Sequence, residues 1–262
     1  MNDKLKQNIV DYWNRRPCGV THSNNEKGTR EYFLDVTQRR RQTVDWLGSV
    51  SGFVDYSKWK GKRVIEIGCG IGTEADEFAR YGANYTGIDI SAVSIEMARK
   101  RFEVFDLPGQ FFVMNGADPT GLNKLGKFDL VYSNGVMHHW PDLPEFINNA
   151  KNILNPTGSF IFMVYSTNSW RHAMAQAGLM QYEAQYNCPY VQTYDKKEIS
   201  KFLEPHFYIK NIVQEGCFMF NVEKYKQNQL ELEPWFAVMS EQMRRAVDKF
   251  LGECYMVEAK LS

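Results

Sequence analysis

Residues 64–73 read Val-Ile-Glu-Ile-Gly-Cys-Gly-Ile-Gly-Thr, an apolar β-forming run that breaks into glycines at 68, 70 and 72. Such a run reads as a buried parallel-sheet strand. The glycines remove side chains where backbone must approach a ligand before a helix opens near Thr73. A second run, Thr86-Gly87-Ile88-Asp89-Ile90, ends in an acid. At the tip of the neighbouring strand that carboxylate can accept both hydroxyls of a ribose. Together the two runs predict a crevice for a nucleoside.

The glycine spacing narrows the nucleoside. A dinucleotide loop needs Gly-x-Gly-x-x-Gly so that pyrophosphate can lie on the helix N-terminus. Here the sixth place is Thr73, and Gly72 comes one residue early. The pattern resembles motif I of class I S-adenosylmethionine (SAM)-dependent methyltransferases, in which no phosphate has to be held. A glycine-rich structural turn and a nicotinamide or flavin site are the competing readings.

A chain of 262 residues can bury one good core. Thirty-one basic and 31 acidic side chains leave no net field to draw in a polyanion, which disfavours nucleic acid as a partner. The clusters Arg15-Arg16, Arg39-Arg40-Arg41 and Arg99-Lys100-Arg101 read as solvated helix faces. Cys18, Cys69, Cys188, Cys217 and Cys254 are odd in number, far apart and without a Cys-x-x-Cys. They imply reduced thiols in a cytoplasmic protein, with neither a disulfide framework nor a metal site. No signal peptide or membrane span is expected, since the longest apolar run, 160–165, is too short to cross a bilayer.

Leu5, Ile9, Tyr12 and Trp13 recur at helical spacing before Pro17, and a second helix is expected from Glu31 to Trp46. Residues 1–60 are therefore a candidate helical lid on a single compact unit, 61–262. From Lys62 onward strand-type runs at 63–67, 84–88, 110–114, 128–133 and 158–165 alternate with helical patterns at 73–81, 91–105 and 143–153. That alternation implies parallel βαβ units with helices on both faces. After a long segment, 168–194, a helix capped by Asp195 stops near Pro205. A strand about 207–214, a helix about 234–250 and a strand 254–260 complete the pattern. The helix 234–250 carries Trp235, Val238, Met239, Met243 and Val247 on one stripe, which suits either its own sheet or a homodimer. The layout resembles the α/β, Rossmann-like, seven-stranded methyltransferase fold, whose last strand inserts antiparallel between its neighbours.

The resemblance also implies a site. Gly68, Gly70 and Asp89, followed by Ile90, match the family positions beside the methionine part and ribose of SAM. Glu66 matches a family acid near the methionine end. Strand 3 of many relatives leads into a Gly-Asp-Ala-type turn, but this chain has Asn115-Gly116-Ala117-Asp118, so either Asp118 or backbone at Ala117 reads the adenine end, with a plain Asx-turn before Pro119 as the competing role of Asp118. Residues 128–140, which hold Asn134, His138 and His139, resemble motif IV, whose end faces the transferable methyl group. Asn134 is the candidate partner of the SAM ammonium. Of the adjacent histidines at most one faces the pocket; His138 or Tyr165 is the candidate base for an acceptor that must lose a proton, with packing or cofactor support as the alternative for the histidine pair. Tyr165 and Ser166 fall where substrate-facing groups lie in such a crevice. Tyr12, Trp13, Tyr32 and Phe33 could close it over a sulfonium cation, with an ordinary lid-to-core contact as the alternative for each.

These signals imply a SAM-dependent methyltransferase acting on an oxygen, nitrogen or carbon atom of a small molecule, as monomer or homodimer. Two alternatives share the pocket: a cyclase or lyase that releases methylthioadenosine from SAM, and a non-catalytic SAM-binding module.

Overall fold

The apolar runs become the strands of one sheet, and their burial on both sides explains why they carry no polar alternation. The computed structural model describes residues 3–43, 52–180, 187–227 and 229–262. Its strands are β1 (Arg63–Ile67), β2 (Asn84–Asp89), β3 (Gln110–Val113), β4 (Phe128–Asn134), β5 (Leu154–Tyr165), β6 (Phe207–Glu215) and β7 (Cys254–Leu261). They lie in the order β3-β2-β1-β4-β5-β7-β6. Neighbours from β3 to β5 are parallel, while β7 runs antiparallel to both β5 and β6. The sheet is the seven-stranded Rossmann-like arrangement expected above.

Between strands the chain forms α1 (Asp3–Arg15), α2 (Arg30–Thr43), α3 (Thr73–Arg80), α4 (Ala92–Phe105), α5 (Pro119–Leu122) and α6 (Leu143–Ile153). The C-terminal half adds α7 (Trp170–Gln176), α8 (Lys196–Leu203), α9 (Val222–Lys226), α10 (Pro234–Ala237) and α11 (Glu241–Leu251). Successive strand residues divide between two cores, as a period of two requires. Ile65, Val131 and Phe160 pack with Phe146 and Ala150 of α6 and Leu203 of α8. Val64, Leu130 and Ile161 face Phe78 of α3 and Ala98 of α4 instead.

Three expectations are corrected, and one falls outside the described residues. β5 begins at Leu154 rather than 158, because Leu154 already pairs with Phe128 across an irregular register. The expected helix 234–250 is two pieces, since the Ser240 hydroxyl accepts the Met243 amide and opens a new helix. Its stripe splits accordingly: Val238 is 85% exposed, whereas Met239 and Val247 pack against a cluster holding Met174, Phe218 and Phe236. Helix α2 is described only to Thr43, so the expected continuation to Trp46 lies outside the described residues.

The third correction concerns the basic clusters. Arg101 is buried, and its Nε donates to Asp76 Oδ2 at 3.0 Å while another guanidinium nitrogen reaches the Thr37 hydroxyl. Its charge also lies 5.3 Å from the ring centre of Phe33. One side chain of α4 thereby ties α2 and α3 together, because a buried cation must keep its partners close. Asp76→Asn should lower stability by about 3 kcal/mol in urea unfolding, as expected for a buried guanidinium left without its carboxylate.

Candidate functional site

At the C-terminal end of β1 the chain turns through Gly68, Gly70 and Gly72 at φ of 78°, 52° and 82°. L side chains rarely adopt these conformations. The amides of Gly68 and Cys69 donate to the Ile88 carbonyl at 2.7 and 3.0 Å, fastening the loop to β2. A Cβ at Gly68 would fall 2.3 Å from Val136, whereas one at Gly70 would meet nothing within 4 Å. Gly68 therefore permits close packing, and Gly70 leaves backbone open to the adjacent space.

Asp89, at the end of β2, uses one oxygen on each side. Oδ2 accepts the Gly70 amide at 2.9 Å and Oδ1 accepts the Ser91 amide at 2.8 Å. Burial pushes its carboxyl up to about 6, against the opposing pull of these two amides. A carboxylate has four lone-pair sites, so acceptor capacity remains for hydroxyls.

These residues line a cavity of about 310 Å³. Glu66, Gly68, Gly70, Asp89, Ile90, Asn134, Tyr165 and Trp13 all stand on its wall. The other expected site residues do not. Tyr32 and Phe33 are fully buried with Val36 and Ile71, so they are lid-to-core contacts. Tyr12 packs edge-on beside Trp13 at 5.0 Å and supports it from behind. Ser166 is buried, and its oxygen accepts the Asn168 amide and the Gln214 side chain.

The adenine-end expectation is corrected as well. Asp118 is exposed and caps α5 by accepting the Thr120 amide at 2.9 Å. The Ala117 amide is committed to Asn115 Oδ1 at 2.9 Å, and Ala117 is buried away from the cavity. Met114, Asn115 and Gly116 supply the wall instead. No side chain fits at Gly116, since a Cβ there would lie 2.3 Å from Ile67 and 2.7 Å from Phe146. The familiar acid has no room here, because Ile67 of β1 and Phe146 of α6 fill the space its side chain would need.

The histidine expectation reverses. His138 is fully buried, has no hydrogen-bond partner on either ring nitrogen among the described residues, and lies off the cavity wall against Tyr165 at 3.9 Å between ring centres. Burial and then the neighbouring His139 depress its basicity well below the ordinary imidazole range. His139 is the one on the wall. Its Nδ1 lies 3.1 Å from the Tyr190 carbonyl, and a carbonyl only accepts, so Nδ1 carries the hydrogen and the Nε2 lone pair is left over. Trp13 stands edge-on to this ring at 4.9 Å. Burial lowers His139 to about 4, opposed by the Tyr190 contact, so the ring is neutral at physiological pH.

Sequence reasoning missed a polar network around the glycine loop. Arg40 of α2, read as solvated, bonds Glu74 Oε1 at 2.6 Å. Burial disfavours its charge, but the Glu74 carboxylate outweighs that and raises Arg40 above its ordinary value. Glu74 Oε2 also accepts the Tyr56 hydroxyl and, at 3.4 Å, that of Tyr132, which in turn accepts Asn134 Nδ2 at 3.0 Å. Asn134, Glu74 and Arg40 thus reach the same cavity wall as one hydrogen-bonded chain. The available signal was an acid in the first turn after the glycines. Glu66 sits nearby, accepting the Tyr85 hydroxyl at 2.5 Å. Burial pushes its carboxyl up to about 8, despite that hydrogen bond. Among the described residues no group of three His, Cys, Asp or Glu could hold a metal ion, and no helix is long and apolar enough to cross a membrane.

Comparison with known proteins places the chain in a family. The family model for a methyltransferase domain matches residues 38–205. A probable phthiotriol/phenolphthiotriol dimycocerosates methyltransferase of Mycobacterium ulcerans is 32% identical over 127 residues, 46% of this chain and 48% of that protein. This chain thus matches about half the length of that relative. A ubiquinone biosynthesis O-methyltransferase of Acinetobacter baylyi is 25% identical over 205 residues, covering 78% of this chain and 82% of that one. Among solved structures, the SAM-bound magnesium protoporphyrin IX methyltransferase of Synechocystis superposes with a TM-score of 0.59 at 17% identity. That match covers 98% of this chain and 97% of the other and shows a shared fold.

Glu66 makes stability pH-dependent. With a folded-state value near 8 against an ordinary 4.5, the folded protein holds a proton that the unfolded chain releases. Its contribution is present below about 4.5 and is lost as pH rises towards 8. Glu66→Gln, which imitates the protonated form, should flatten the fall in urea-unfolding stability between those limits; an unchanged slope would assign the proton elsewhere.

Proposed function

We propose, for a chain that belongs to the methyltransferase-domain family and with it to the class I SAM-dependent methyltransferases, that it transfers the SAM methyl group to a small-molecule acceptor. The observation that carries the reading is the pairing of a side-chain-free backbone loop with Asp89 on one cavity wall. The open space at Gly70 and the remaining acceptor sites of Asp89 suit the aminoacyl and ribose parts of such a cofactor. SAM supplies an already activated methyl group, so the protein mainly holds, orients and excludes water.

Each wall residue then takes a role. Asp89 receives ribose hydroxyls, and Asn134, oriented by Tyr132 and Glu74, receives the aminoacyl end. Arg40 offers a held positive charge and Glu66 a protonated carboxyl at neutral pH. Ile90 and Met114 provide an apolar bed for the adenine, with Gly116 and Asn115 at its edge. Residues 1–60 act as the cap: α1 contributes Ile9 and Trp13, and its Asn14 side chain accepts the Ala92 amide at 3.0 Å, pinning it beside Asp89. The His139 Nε2 lone pair aligns an acceptor O–H or N–H and receives its proton as the new bond forms. The name of the A. baylyi relative supports an oxygen acceptor.

The test is incubation with SAM, with and without a metabolite extract, followed by mass spectrometry of the nucleosides. S-adenosylhomocysteine appearing only with the extract is the expected result, and methylthioadenosine from SAM alone would overturn the reading. Asp89 is ionised above about pH 6, so SAM affinity should hold above that pH and fall below it. Asp89→Asn should weaken binding about tenfold, or ~1.4 kcal/mol, in calorimetry and lose that pH dependence. His139→Ala should lower kcat about a hundredfold while SAM affinity stays unchanged, whereas His138→Ala should act on stability instead.

A further inference from the structure

One acid sets the direction of the hydrogen bonds along the cavity wall. Glu74, in the first turn of α3, is buried, and its two oxygens serve different elements. Oε1 accepts Arg40 Nε at 2.6 Å and lies 2.6 Å from Nη2 as well. A guanidinium carries five N–H groups, so donors remain for the cavity, which Arg40 also lines. Oε2 accepts the hydroxyls of Tyr56 and Tyr132. Burial, with Glu74 as the next cause, holds both phenols well above the ordinary range, so each keeps its one hydrogen. A carboxylate has only lone pairs, and Tyr132 spends that hydrogen on Glu74. Tyr132 can then only accept from Asn134, 3.0 Å away. The amide therefore turns Nδ2 to Tyr132 and keeps Oδ1 for the cavity that Asn134 lines.

We propose that Glu74 is a positioning residue: it fixes the Arg40 guanidinium as donor and, through Tyr132, the Asn134 carbonyl as acceptor, so that the wall receives a zwitterionic α-amino acid end and discriminates against nucleosides that lack its amine. This rests on the methyl-transfer reading and adds the residue that enforces which end-group is recognised. An ammonium has three donors and no acceptor, so it bonds Oδ1 and is turned away by Nδ2. An unconstrained amide presents either face, and Tyr132 removes the wrong one. The Arg40–Glu74 pair carries no net charge and neither does the zwitterion, so two dipoles meet without adding a charge to the wall. The nearby acids are compatible with this: burial keeps Glu66 protonated at neutral pH, and the Asp89 oxygens are turned to the Gly70 and Ser91 amides.

Three nucleosides that differ only beyond the sulfur decide the matter, titrated calorimetrically into the full chain near pH 7: S-adenosylhomocysteine, its deaminated analogue with the carboxylate alone, and methylthioadenosine with neither group. Wild type should bind S-adenosylhomocysteine about tenfold or more tightly than the deaminated analogue. Glu74→Gln and Tyr132→Phe should bring these two within about threefold of each other, while methylthioadenosine binds as before. Damage to the fold alone would instead weaken all three alike. Tyr132→Phe deletes one oxygen from a ring that stays packed, so it decides the matter if Glu74→Gln misfolds. A wild type blind to the amine, folded variants that keep the tenfold preference, or variants that weaken all three nucleosides equally would overturn the proposal. A wild type that binds none of the three would remove the cofactor reading as well. Loss of the preference alone leaves S-adenosylhomocysteine formation untouched, so the two failures are distinguishable.

Discussion

One carboxylate joins the two halves of the nucleoside crevice. Asp89 holds Gly70 with one oxygen and the turn into α4 with the other. The loop after β1 and the turn after β2 therefore cannot move independently. The arrangement places a half-buried acid where two strand ends meet, and desolvation makes it a weaker acid than an exposed aspartate. Its geometry is set before any ligand arrives, because the backbone amides that orient it belong to the loop it shapes.

Around that centre, charge rather than apolar contact alone fastens the N-terminal helices. Arg101 reaches from α4 to α3 and α2, and Arg40 reaches from α2 to Glu74 at the start of α3. Both pairs cross between elements distant in sequence. Pairs of this kind add little net stability, but removing one partner is costly, which favours a single docking of the helices. The same Glu74 holds Tyr132, which orients Asn134, so the anchoring of α2 and the shape of the cavity wall are physically linked.

Much of the sheet and part of the site were legible in the chain. The strands β1 to β4, the glycine loop and Asp89 announce themselves because apolar runs, glycines and a terminal acid act locally. Asn134, Tyr165 and Ile90 line the same cavity. What was not legible depends on long-range packing. Whether His138 or His139 faces inward is set by the Tyr190 carbonyl, 51 residues away in the chain. The glycine that stands in place of the adenine-end acid is required by Ile67 of β1 and Phe146 of α6. Arg40 and Arg101 look solvated in a run of arginines, and only the tertiary arrangement gives each an acid partner.

The position of β7 bears on the order in which the molecule assembles. β5 and β6 meet only through β7, which follows both in the chain and pairs with each along most of its length. During synthesis the parallel strands β1 to β5 and their helices emerge first, and β6 then has no neighbour to join. Until residues 254–261 leave the ribosome, two strand edges stay open to foreign pairing. Glu253 arrives at that same moment, so its ion pair with Arg171, on the cavity wall, is completed by the step that closes the sheet.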